Sequence, residues 1–151
     1  MSSVFAPFYE LFIYDGNYQL IFDQLYNGYG YFIMGILLLF FPALVMMTFY
    51  FDHKSWYRNP YLGRGAWFIW LAVAIVTTAA LTYTAAYQSI FASDNNPLNL
   101  ALYNPNLNYY GYANWLVWMY TIINGVGAAV TGFIHSLWLK QFSRLHIHIP
   151  F

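Results

Sequence analysis

His135 has the widest chemical reach of any residue in this sequence. It is the only ionisable side chain deep within an uncharged apolar run, about one turn before Lys140 ends that run. An ionisable group held in hydrocarbon is a functional candidate by default. An imidazole there can serve as a haem ligand, a metal ligand, a quinone contact or a proton relay. The plainer alternative is a neutral ring bonded to a backbone carbonyl or reaching the nearby interface. His53 ends another apolar run on the same expected side, so the two rings could meet, and a facing pair would suit haem b or a metal. His146 and His148 would share one side of an extended segment, but two histidines make an incomplete metal site. Asp52, His53 and Lys54 together read as a solvated helix end rather than a catalytic group.

The residues around His135 offer a second kind of chemistry. At helical spacing, Thr121, Asn124, Ala128, Thr131 and His135 share one face, and Gly125, Ala129, Gly132 and Ser136 form a small-residue stripe beside it. In the preceding apolar run, Ala74, Thr78, Thr82, Ala85 and Ser89 make a similar small, hydroxyl-bearing face. Such faces let helices approach closely. Thr78, Thr82, Gly125, Ala128, Ala129 and Gly132 are therefore expected to be helix-packing positions. Asn124, Thr131, His135 and His53 make up the candidate polar or cofactor site, and the same face could instead line a path for ions or a small solute. Phosphate-binding glycine loops, HExxH, GxSxG and paired carboxylates within an apolar run are absent from the sequence. With no cysteine in the chain, disulfides, thiolate metal sites and thiol catalysis are excluded.

Composition says what must position these groups. Of 151 residues, 61% are hydrophobic and 7% charged, where a soluble domain carries about 25% charged residues. Aromatic residues make up 24%, more than a soluble fold of this size could bury. Three uncharged runs, at about 31–51, 66–90 and 114–139, are each long enough to cross a hydrocarbon core of roughly 30 Å as a helix. They are continuous rather than alternating, which argues against a β-barrel. The expected fold is an all-α membrane protein, a single domain of three transmembrane helices plus a short N-terminal interfacial helix. Pro42, inside the first run, frees a backbone carbonyl and should kink that helix.

Direction follows from charge. Lys54, Arg58 and Arg64 lie between the first two runs, and Lys140 and Arg144 follow the third; these five are all the Lys and Arg present. By the positive-inside rule the N-terminus is outside and the C-terminus inside. Aromatic belts are expected at both interfaces, with Tyr26, Tyr29, Tyr31, Tyr83, Tyr87, Tyr109, Tyr110, Tyr112 and Trp115 outside, and Tyr50, Trp56, Trp67 and Trp138 inside. The opening residues do not resemble a cleaved signal peptide, since Pro7 and Glu10 interrupt the apolar stretch.

Between the spans, residues 17–27 read as a short helix with Tyr18, Ile21, Phe22, Leu25 and Tyr26 at helical spacing and Asn27-Gly28 as its C-cap. This helix is expected to rest on the outer membrane surface. The Asn- and Tyr-rich loop at 91–113 holds two turn-forming stretches around Pro97 and Pro105. A loop so long is either mobile or held by a partner, and its aromatics favour a partner. The tail alternates Arg144, His146 and His148 against Leu145, Ile147 and Ile149, an extended pattern suited to adding to a partner's sheet edge.

Contact surfaces thus outnumber chemical groups. The leading expectation is a non-catalytic accessory subunit of a larger integral-membrane complex of respiratory, oxygenase, transport or secretion type. The alternatives are a homo-oligomeric channel or small transporter lined by the polar face of the third run, and a haem- or metal-binding redox subunit using His135. No resident cofactor is expected beyond that alternative, and bound lipid is. Other integral-membrane subunits and lipid are the expected partners, with a soluble or peripheral protein at the tail. Five acids balance five bases, which gives no reason to expect nucleic acid. The expected location is a prokaryotic cytoplasmic membrane or the mitochondrial inner membrane.

Overall fold

A computed structural model describes residues 4–51, 60–92 and 96–141. Its order is α1 (Ala6–Ile13), a 3-10 turn (Gly16–Tyr18), α2 (Gln19–Asn27), α3 (Gly30–Phe51), α4 (Pro60–Phe91), α5 (Asn96–Leu102) and α6 (Tyr109–Lys140). Three helical stretches, Gly30–Tyr50, Gly65–Phe91 and Tyr109–Lys140, are long and apolar enough to cross a membrane. They coincide with the three runs read from the sequence, and α6 begins earlier, taking Tyr109, Tyr110 and Tyr112 into its first turns. Only 33%, 28% and 39% of the most apolar window of each is buried inside the protein. Most of that apolar surface, including Phe40 and Leu44 on α3, Phe68 and Val76 on α4, and Ile122 and Val126 on α6, therefore faces outward.

The chain groups into two compact units, one of residues 1–36 and 80–123, the other of 37–79 and 124–151. Each long helix contributes a segment to both.

In the first unit, α1 forms where the sequence suggested a break. Pro7 lies in its first turn, where the fixed φ suits a helix and the missing N–H has no carbonyl to serve. Ala6, Tyr9 and Ile13 follow one face and are buried. The chain leaves the helix at Tyr14 in an extended conformation, and Asp15 then accepts from the backbone and side-chain amides of Asn17 (3.0 and 2.9 Å) to start the 3-10 turn.

α2 has the expected apolar face, but that face does not lie on lipid. Ile21, Phe22 and Leu25 are buried in the protein's own core with Leu98 and Leu102 of α5. The helix ends at Gly28, whose N–H donates to the Gln24 carbonyl (2.7 Å). The left-handed residue of this link is Tyr29 (φ 60), not the glycine. Gly28 is needed for space, since a Cβ there would stand 2.8 Å from the Gln24 carbonyl oxygen.

The loop before α6 is likewise held from within. Leu98, Ala101 and Leu102 of α5 are buried, so this loop has a partner in its own chain. Asn108, with φ 48, turns the chain into α6; asparagine tolerates that left-handed conformation better than most residues.

Tyrosine hydroxyls fasten the N-terminal segment to α6. Tyr109 donates to the Asn17 carbonyl and Tyr112 to the Ile13 carbonyl, both at 3.0 Å. Tyr18 stacks on Tyr112 with ring centroids 3.8 Å apart and planes 7° from parallel. Tyr112→Phe keeps that stack and removes the donor, so it should lower stability by about 1 kcal/mol. Unfolding of the purified chain in detergent measures this, and an unchanged midpoint would show that the Tyr112 hydrogen bond contributes nothing.

Candidate functional site

The buried row of α6 runs between the two faces expected from the sequence. Asn124, Ala128, Gly132 and Ser136, at four-residue spacing, are all buried, as is Gly125. Thr131, His135 and Ala129 lie half-buried at the edge of this row. On α4, Thr78 and Thr82 are fully buried, and the buried face continues through Ala86 rather than Ala85.

Pro42 sits inside α3, and because proline has no N–H the Leu38 carbonyl loses its helical donor. The Thr131 hydroxyl of α6 takes that role at 3.0 Å, shared with the Gly127 carbonyl of its own helix at 3.0 Å. Close approach of α3 makes this possible. A Cβ at Gly127 would overlap the Leu38 side chain. A Cβ at Gly132 would stand 2.9 Å from Leu71 Cδ1, so Leu71 would have to move. Gly125 is different, because a Cβ there would meet Ala79 at 3.6 Å, an ordinary contact. Gly127 was not among the expected packing positions. It stands off both small-residue faces, and only the neighbouring Leu38 gives it a role.

One turn further along α6, Ser136 joins three helices. Trp67 Nε1 of α4 donates to Ser136 Oγ at 2.8 Å, and the Tyr50 hydroxyl of α3 lies 2.7 Å from the same oxygen. Tyr50 and Trp67 are buried. This corrects their expected place in an interfacial belt. A phenol or indole can sit inside when its polar atom has a partner. Trp138, Trp115, Tyr87, Tyr110 and Tyr26 are exposed, as belt residues must be.

His135 points its Nδ1 at the Thr131 carbonyl, 2.7 Å away. A carbonyl only accepts, so this contact requires the proton on Nδ1. Asn124 is fully buried. The Thr78 hydroxyl is buried with no hydrogen-bond partner among the described residues. No group of three or more His, Asp or Glu able to hold a metal occurs among the described residues. His53, His146 and His148 lie outside them.

A second polar cluster, in the first unit, was not anticipated. Tyr9 of α1 stacks on Tyr31 of α3 (5.8 Å, 12°) and meets Tyr120 of α6 edge-on (5.5 Å, 89°). The Tyr31 and Tyr120 hydroxyls are 3.5 Å apart. All three rings are fully buried, so Tyr31 too is a core residue rather than a belt residue.

Comparison with protein-family models, curated proteins and solved structures finds no match. Geometry alone must carry the functional reading. In the second unit it describes hydroxyls that tie helices together: Thr131 bridges α6 to α3, and Ser136 bridges α6 to α3 and α4.

The Thr131 bridge can be isolated by a double-mutant cycle. Thr131→Val should cost about 1 kcal/mol, the range measured for hydrogen bonds between membrane helices. In a Pro42→Ala background, where Leu38 regains an amide donor, the same substitution should cost distinctly less. Unfolding in mixed micelles reads both values, and equal costs in the two backgrounds would remove the bridge from the account.

Proposed function

We propose that this chain is a non-catalytic accessory subunit of a larger integral-membrane complex, bracing or assembling the subunits that carry the chemistry. The observation that carries the reading is what the polar groups inside the spans do. Thr131 is bonded to the Leu38 and Gly127 carbonyls, Ser136 to Tyr50 and Trp67, and His135 to its own helix. Groups so engaged hold helices in register. The outward surface is correspondingly rich in large side chains, Trp118, Trp138, Phe68 and Phe40 among them, which suit contact with neighbouring helices and with tightly held lipid. An extended partner for the alternating tail belongs to the same proposal.

Native purification in a mild detergent tests this. The chain should co-purify with other integral-membrane proteins at fixed stoichiometry, and should lose yield when expressed alone. A symmetric homo-oligomer that is stable by itself, and whose conductance falls in Asn124→Leu, would replace this reading with a channel.

The placement of every Lys and Arg at 52–64, around the start of α4, and after residue 139 supports an N-out, C-in topology, in a prokaryotic cytoplasmic membrane or the mitochondrial inner membrane. The cysteine-free chain allows a direct check. Asn106→Cys should react with a membrane-impermeant maleimide on intact cells, and Ser55→Cys only after permeabilisation. The opposite pattern reverses the topology.

A further inference from the structure

α1 has a defined register against two spans. Phe5, its N-cap residue, fills the space beside Gly35 of α3, where a Cβ would run into the phenyl ring, and Tyr9 stacks on Tyr31. Four residues forward along α1 are thus four residues backward along α3. The same reversal holds on α6, where Tyr9 meets Tyr120 and the Ile13 carbonyl accepts from Tyr112. α1 therefore runs antiparallel to both helices, with Phe5 furthest along them from their starts.

Helix rise converts this register into depth. α3 has 22 residues, about 33 Å at 1.5 Å each, little more than the roughly 30 Å hydrocarbon core it must cross. A hydrocarbon core centred on α3 would take in Gly35, about 7 Å along it, and the Phe5 ring beside it.

The start of α1 is built for that setting. The first N–H groups of a helix ordinarily need a polar cap or water. Phe5 makes no side-chain cap, Pro7 is in the first turn and has no N–H, and Phe8 and Tyr9 donate to the Phe5 carbonyl at 3.1 and 3.3 Å. The one acid of α1, Glu10, is half-buried, off the exposed face. The outer face is apolar and open: Val4 is 73% exposed and Leu11 79%, with Phe8 and Phe12 between and beside them. Ile33 and Ile36 of α3 are exposed as well.

We propose that α1 lies within the hydrocarbon on the side where α6 begins, running along α3 with Phe5 the deeper end, its outer face covered by lipid acyl chains. The proposal rests on the three spans crossing a bilayer and is independent of the accessory role.

Val4→Cys and Leu11→Cys, each in the full chain and carrying a nitroxide label, report the depth directly in phosphatidylcholine vesicles. Power saturation with oxygen and with a water-soluble nickel chelate is compared with labels at Phe40→Cys, on the outer face of α3, and Asn106→Cys, in the loop before α6. Both labels should favour oxygen as Phe40 does, and Val4, just before α1, should lie deeper than Leu11 by up to about 10 Å. Equal, shallow depths would mean a helix lying flat at the interface. Chelate access like that at Asn106 would place α1 in water, and exclusion of both reagents would mean that protein covers it. Each of those three results overturns the proposal. Phe12→Cys, also on the exposed face, replaces any variant whose circular dichroism departs from the parent.

Discussion

Pro42 takes away the donor that the Leu38 carbonyl would have used, and hydrocarbon offers no water in its place. Where a helix crosses a membrane, that carbonyl must find a partner inside the protein or leave the span several kcal/mol worse off. Thr131 supplies the partner from α6, beside Gly127, where the Leu38 side chain of α3 packs against the helix. Much of the second unit follows from this one need. Gly127 lets Leu38 of α3 pack close, the hydroxyl fixes the register of the two helices, Gly132 meets Leu71 of α4, and Ser136, one turn on, draws in α4 through Trp67.

The first unit answers the same constraint with phenols in place of small residues. Tyr9, Tyr31 and Tyr120 are large, wholly buried and mutually in contact, and the Tyr31 and Tyr120 hydroxyls face each other. At the start of α6, Tyr109 and Tyr112 turn their hydroxyls to backbone carbonyls of the N-terminal segment. A tyrosine can brace a core and satisfy a carbonyl with one side chain. This gives many of the sixteen tyrosines a use other than anchoring at headgroup level.

The spans were legible in the sequence because length and charge alone decide them: 31–51, 66–90 and 114–139 lie inside the three long helices. The inward face of α2 was legible too, since Ile21, Phe22 and Leu25 keep helical spacing. What covers that face was not, because the partner, Leu98, is far away in the chain. α1 and α5 were missed for one shared reason. Pro7 and Pro97 were read as breaks, yet each lies in a first helical turn, where proline starts helices. Of the candidate site, Asn124, Thr131 and His135 were placed on the correct helix from spacing alone. The partners of Thr131 and Ser136 lie 93 and 86 residues away, and no local pattern announces them. Tyr50 and Trp67 look the same in composition whether the ring rests at a headgroup or bonds to a buried serine.

The tyrosine strap has a consequence for biosynthesis. Tyr112 closes a contact across 99 residues with Ile13, and Tyr109 one across 92 with Asn17. At roughly 5–20 residues per second of translation, α1 is made on the order of 5–20 seconds before the helix that holds it. During that interval Tyr9 has Tyr31 but not Tyr120, and the carbonyls of Ile13 and Asn17 lack the phenols that later bind them. This segment is thus completed only when α6 is made, although it is synthesised well before that helix. A nascent chain stalled before α6 would display this unfinished segment, and quality-control proteases would meet it there.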